Sequence, residues 1–193
     1  MLYLTHVGPQ SERDLFDQLR RGDKEALSTL YQKYFPLLMH YGIRIVPDKY
    51  IVEESIQDMF IYIYESKEKL GQVKYVKPYL FRALRRRVLE KISAERKVLE
   101  REAEMTTRTN IQFSAEDILF AVESKRNQKQ ALVQILNNLP WRQREAVYLR
   151  YYNGLNTKEI AEIMGVANQT VLNTLYHALK KIRGIVNLKE ILE

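Results

Sequence analysis

Apolar residues recur three and four positions apart along almost the whole chain, the spacing that lines one face of an α-helix. No stretch alternates apolar and polar residues as a half-buried strand would. The pattern predicts an all-α protein. Ser11 with Asp14 opens a short helix through Leu15, Phe16 and Leu19 that stops at Arg21-Gly22, and Asp23 caps the next through Ala26, Leu27, Leu30, Tyr31 and Tyr34. Pro36 has no amide hydrogen, so it is expected to break or kink that helix before Leu37, Leu38 and Tyr41 resume its stripe. After the turn at Pro47-Asp48, a helix over about 49–66 buries Ile56, Met59, Phe60 and Ile63. A polar loop over 66–77 then leads to a long helix from about 79 into the nineties, with Pro78 at its first position.

From about 94 to 114 the apolar stripe fades into dense mixed charge. Periodicity returns at Ile118, Leu119 and Val122, again from Leu132 to Leu139, and in a helix over about 142–152. These shifts divide the chain into a loose arm (1–10), a first helical domain (11–93), a linker (94–114) and a second, four-helix domain (115–193). The last domain ends in a helix-turn-helix. Asn156 and Glu159 form a capping box, and Ile160, Ala161, Ile163 and Met164 share one face. Gly165 supplies positive φ at the turn, and Val171, Leu175, Ala178 and Ile182 line the second helix at spacings of four, three and four.

Charge sharpens this picture. The chain has 193 residues and a formal net charge of +7, which favours an anionic partner without choosing among nucleic acid, membrane surface and acidic protein. It has no cysteine, and no run approaches the roughly 20 apolar residues that span a bilayer, so a cytoplasmic protein with no membrane insertion is expected. The cations are unevenly placed. Lys74, Lys77, Arg82, Arg85, Arg86, Arg87 and Lys91 follow one another with Tyr75 and Tyr79 interleaved, and residues 72–89 include no acid. Cations along phosphates and ring faces for unstacked bases suit single-stranded or melted DNA, although a solvated arginine-rich helix would read similarly. Glu53, Glu54, Gln57 and Asp58 form an acidic and polar cluster that spacing alone assigns to solvent. Enzymatic chemistry finds little support. His6, His40 and His177 lie far apart, no glycine-rich phosphate loop occurs, and neither metal nor cofactor is expected.

Two blocks of sequence resemble the small two-domain extracytoplasmic-function (ECF) sigma factors of bacterial RNA polymerase. ALSTLYQKYFPLLMHYG, VEESIQDMFIYIY and YLFRALRRRVLEK match the family's first conserved domain. LNNLPWRQREAVYLRYYNGLNTKEIAEIMGVANQTVLNTLYHALKKIR matches its second. The blocks stand in the family's order, without the extra domain that larger sigma factors carry between them. The resemblance implies a non-catalytic subunit that binds core polymerase, reads two promoter elements and helps open DNA. It assigns Glu53, Glu54, Gln57 and Asp58 to the polymerase β′ clamp helices. Lys74, Tyr75, Lys77, Tyr79, Arg82, Arg85 and Arg86 fall to the minus-10 element and a base flipped from the stack. Asn168, Gln169, Thr170, Leu172, Asn173, Thr174, His177 and Lys180 fall to the major groove of the minus-35 element. An anti-sigma factor is a further implied partner.

Three positions depart from the family pattern. Ala167 replaces the usual capping Ser, so Asn168 is expected to cap the recognition helix, which would begin one residue later. Leu172, Thr174 and His177 occupy common Lys and Arg positions, and Arg86 stands where Asn is usual. The upstream reader is therefore expected to depend less on salt than the first domain. Two other functions fit parts of the pattern: a helix-turn-helix regulator that binds an operator without joining polymerase, and a sigma-like interaction protein that does not initiate transcription.

Overall fold

The computed structural model describes residues 11–99, 112–113 and 126–192. The loose arm, most of the linker and the stripe at Ile118, Leu119 and Val122 lie outside the described residues. Within them the chain is helical, with no strand. The first half comprises α1 (Glu12–Arg20), α2 (Lys24–Ile45), α3 (Lys49–Glu65), a 3₁₀ turn (Lys67–Lys69) and α4 (Val76–Leu99). The second comprises α5 (Arg126–Asn137), α6 (Trp141–Val147), a π-helical turn (Tyr148–Tyr152), α7 (Thr157–Met164) and α8 (Asn168–Leu192).

Local chemistry sets most of these boundaries. Ser11, Asp23 and Asp48 each accept a hydrogen bond from a first-turn amide of the helix that follows, starting α1, α2 and α3. Pro36 neither breaks nor ends α2, which continues through Ile45. The proline is on the exposed side, as is Gln32, whose carbonyl loses its partner; water can serve that carbonyl, while Leu30, Tyr34, Leu38 and Tyr41 hold the opposite face in the core. Pro78 lies in the third position of α4, still within the turn whose amides need no intrahelical partner. The helix expected over 142–152 changes pitch at Tyr148. There the Asn153 amide bonds back to the Tyr148 carbonyl at 3.2 Å, five residues earlier.

The first half wraps a core of Phe16, Leu30, Tyr34, Leu38, Ile56, Met59, Ile63, Phe81 and Leu84. There α3 approaches α2 closely at Gly42, where an added Cβ would collide with the Val52 side chain. The second half packs α6, α7 and α8 through Ala146, Leu149, Ile160, Ile163, Val171, Leu175 and Ala178. Phe113 joins this core, its amide donating to the Asn137 side chain at 2.7 Å and its carbonyl accepting from it at 3.1 Å. Buried side chains run from one half into the other, and α7 packs across α4.

Replacing Gly42 with Ala is expected to destabilise the protein by about 1–3 kcal/mol through overpacking. Adding Val52→Ala should restore part of that loss; chemical denaturation of the single and double variants measures both.

Candidate nucleic-acid interface

The helix-turn-helix forms as its sequence dictates. Asn156 Oδ1 accepts from the amides of Lys158 and Glu159, both at 3.0 Å, and Glu159 Oε2 accepts from the Asn156 amide at 2.7 Å, completing the capping box. Gly165 takes φ 67° and ψ 38°, and the Val166 amide bonds to the Ala161 carbonyl at 3.1 Å. Asn168 does not cap the recognition helix. It is the first residue of α8, and the helix starts on the Ala167 carbonyl, which accepts from Thr170 and Val171. Backbone geometry fixed by the turn places the start here without a capping side chain at Ala167.

Val171, Leu175 and Ala178 face inward on α8, leaving Gln169, Thr170, Leu172, Asn173, His177 and Lys180 outside, with Thr174 half-buried and its hydroxyl donating to the Thr170 carbonyl at 2.7 Å. Gln169 donates to Asn173 Oδ1 at 3.1 Å, which orients two amide side chains side by side. Amides so aligned can read donor and acceptor pairs on base edges. Tyr176 and Leu179, 62% and 41% exposed, extend Leu172 into an apolar stripe on this face. Sequence reasoning missed both, although their spacing from Leu172 by four and seven residues carried the signal.

The basic strip on α4 divides in three dimensions. Lys74 and Tyr75 are exposed, with the ammonium 5.2 Å from the ring centre, and Arg82 and Arg86 point outward. Arg86 pairs with Glu90 at 2.7 Å, and that hydrogen bond raises its pKa further. Tyr79 is half-buried edge-on against Phe16 at 5.5 Å. Lys77 is half-buried and donates to the Asn153 carbonyl at 2.6 Å; its burial lowers the ammonium pKa, opposed by the charges of Glu12 and Glu159. Arg87 lies over Tyr62 at 5.0 Å. Lys91 turns away from the strip to Glu54 at 2.8 Å and Asp58 at 2.9 Å.

Arg85 departs most from the expected arrangement. Its side chain is only 15% exposed, donating through Nε to Glu145 Oε1 at 2.8 Å and through Nη2 to Oε2 at 3.3 Å. Glu145 is fully buried and also accepts from the Tyr41 hydroxyl at 2.8 Å. Burial opposes Arg85's charge, but the Glu145 carboxylate outweighs it and raises the pKa. The Tyr41 hydroxyl is pushed well up, by burial first and then by the same carboxylate. Arg85 thus faces the second half, where the Glu145 side chain of α6 receives it. Period alone could not show this, because the side of α4 facing the second half depends on tertiary packing.

Glu54 and Gln57 are exposed on α3, with Glu53 and Asp58 partly so, forming an acidic and polar face apart from the α4 strip. Among the described residues, no His, Cys, Asp and Glu grouping could hold a metal, and no helix is long and apolar enough to cross a membrane.

Residues 129–182 match the family model for sigma-70, region 4. Over 166 residues the chain is 26% identical to the ECF RNA polymerase sigma factor SigM of Bacillus subtilis, spanning 83% of this chain and 95% of that relative. It is 22% identical over 186 residues to the ECF RNA polymerase sigma factor SigK of Mycobacterium ulcerans, spanning 94% and 98%. Similar folds occur in CnrH bound to the cytosolic domain of CnrY, with a TM-score of 0.60 at 16% identity over 93% of this chain and 99% of that one. The sigma factor RpoE bound to the anti-sigma factor NepR, from Bartonella quintana, has a TM-score of 0.56 at 18% identity, covering 83% and 96%.

On single-stranded DNA, Arg82→Ala and Arg86→Ala should each lower the slope of log K against log salt by about 0.7, one phosphate contact apiece. Lys180→Ala should leave that slope nearly unchanged. Anisotropy titrations across salt concentrations measure all three.

Proposed function

We infer the protein's role from its family, the ECF sigma factors of bacterial RNA polymerase, to which the chain belongs. The protein is a transcription initiation factor. We propose that it binds core polymerase, recognises promoter DNA at two points and assists melting. The observation that carries this reading is the presence, in one chain, of two separate DNA-suited surfaces: the cations and rings on α4 and the uncharged polar face of α8. An operator-binding regulator would need only the second.

On this reading the first half reads the downstream minus-10 element. Lys74, Arg82 and Arg86 would contact the strand, with Tyr75 available to stack against an unpaired base. Tyr79, half-buried, would support that surface. The second half would place α8 in the major groove of the minus-35 element. There Gln169, Asn173, Thr170 and His177 would meet base edges, and Leu172 with Tyr176 would meet thymine methyl groups. The α8 N-terminus and Lys180 would supply attraction for phosphate. The acidic α3 face, Glu53, Glu54, Gln57 and Asp58, would dock on the polymerase β′ clamp helices. The protein works in the cytoplasm, where polymerase and promoter meet, and performs no catalysis of its own. An anti-sigma factor would regulate it, as the sigma factor RpoE pairs with the anti-sigma factor NepR.

Run-off transcription with purified core polymerase on a genomic promoter library tests the proposal. Discrete start sites are expected, and their absence despite core binding would favour the interaction-protein alternative. Reversing charge with Glu54→Lys and Asp58→Lys should weaken core binding by about tenfold, roughly 1.4 kcal/mol, while leaving binding to single-stranded DNA intact. Equal core binding by the variant would remove α3 from the docking surface.

A further inference from the structure

Lys91 lies on α4 but serves α3. Glu54, Asp58 and Tyr62 follow one another at intervals of four along α3 and so share one stripe. Two cations of α4, also four apart, meet that stripe: Arg87 covers the Tyr62 ring at 5.0 Å, and Lys91 reaches Glu54 Oε2 at 2.8 Å and Asp58 Oδ2 at 2.9 Å. The Lys91 Nζ atom is withdrawn from water, whereas the Glu54 and Asp58 side chains stay 48% and 41% exposed. Burial opposes the ammonium charge, but the two carboxylates outweigh it and raise the pKa. One ammonium thus holds two acids of another helix from their inner side, and each acid keeps its outer side in water.

We propose that Lys91 is a positioning residue for the docking of core polymerase: it fixes Glu54 and Asp58 at one spacing, a preset pair of carboxylates for a cationic side chain of the polymerase. This rests on α3 being the docking surface. The ammonium acts through the acids in two opposed ways. Carboxylates that are already held have fewer rotamers to lose when a partner cation arrives, which slows dissociation. The same ammonium cancels one of their two charges, which weakens long-range attraction and slows association. The face therefore meets its partner less often and keeps it longer. Half-exposed pairs of this kind add little to folding stability, so the loss of Lys91 is expected to show in binding rather than in melting.

Association and dissociation rates of the full-length chain on immobilised core polymerase test this. Lys91→Met keeps the packed stem of the side chain and removes its charge. It should speed association at low salt, with a steeper fall as salt rises, and speed dissociation by about tenfold, the cost of immobilising two carboxylate side chains. In a Glu54→Gln, Asp58→Asn background the same substitution should change neither rate, because the groups it acts through are gone. An unchanged dissociation rate in the parent background would overturn the proposal. Equal acceleration in both backgrounds would also overturn it, by marking Lys91 as a purely structural contact. Thermal unfolding checks that each variant is folded, and Lys91→Gln takes the place of Lys91→Met should that variant not fold. The uncharged acid pair separates this proposal from the reading beneath it. If Glu54→Gln, Asp58→Asn binds core polymerase as the parent does, α3 is not the docking surface. If it binds weakly while Lys91→Met alone leaves dissociation unchanged, only the positioning role fails.

Discussion

The buried contact of Arg85 with Glu145 is the interaction on which the arrangement of the two halves turns. Placing a guanidinium and a carboxylate away from water is costly unless each finds its full set of partners. Here the carboxylate receives two bonds from the arginine and one from Tyr41, so neither charge is left uncompensated. Removing only one member of such a pair typically costs about 3–5 kcal/mol, because the other is then stranded. That asymmetry makes the contact selective: it tolerates separation only when both groups reach water or a new counter-ion together. An ion pair with this property can hold two bodies together and still release them to an anionic partner.

The two candidate DNA surfaces differ in the chemistry they can use. On α4 and the loop before it, Arg82, Arg86 and Lys74 present exposed charge, whose attraction is long-ranged and indifferent to sequence. On α8, the paired amides of Gln169 and Asn173 and the apolar stripe from Leu172 to Leu179 act only in contact. A reader built this way gains little from non-specific attraction upstream and depends on shape and hydrogen-bond matching. On the proposed reading, capture and discrimination would fall to different halves of one chain.

Much of the fold could be read from the sequence because it is governed locally. The caps at Ser11, Asp23 and Asp48, the box at Asn156 and Glu159, and the left-handed Gly165 each arise from a few adjacent residues. The failures had non-local causes. Of the break or kink expected at Pro36, the break does not occur, because the residue's exposure, and hence the hydration of the freed carbonyl, depends on where α2 meets the core. Phe113 sat in a stretch that read as linker, yet its place in the core depends on Asn137, distant in sequence. Lys91 was counted with the basic strip but serves the α3 acids. Arg85, too, shows its type in the sequence but not its direction, because its partner Glu145 stands 60 residues away in the chain.

The π-helical turn at Tyr148–Tyr152 fits one more residue into a helix than α-geometry would. Each residue turns an α-helix by about 100°, so the extra one swings everything beyond it around the axis by more than a quarter-turn. The wider turn stacks the Tyr148 and Tyr152 rings at 4.8 Å against His40 and aims the chain through Gly154, at φ 67°, into α7. A single-residue deletion here would leave α7 and α8 individually intact while pointing the recognition helix elsewhere. On the proposed reading, the spacing between promoter elements that such a chain could bridge would be set partly by this one helical irregularity.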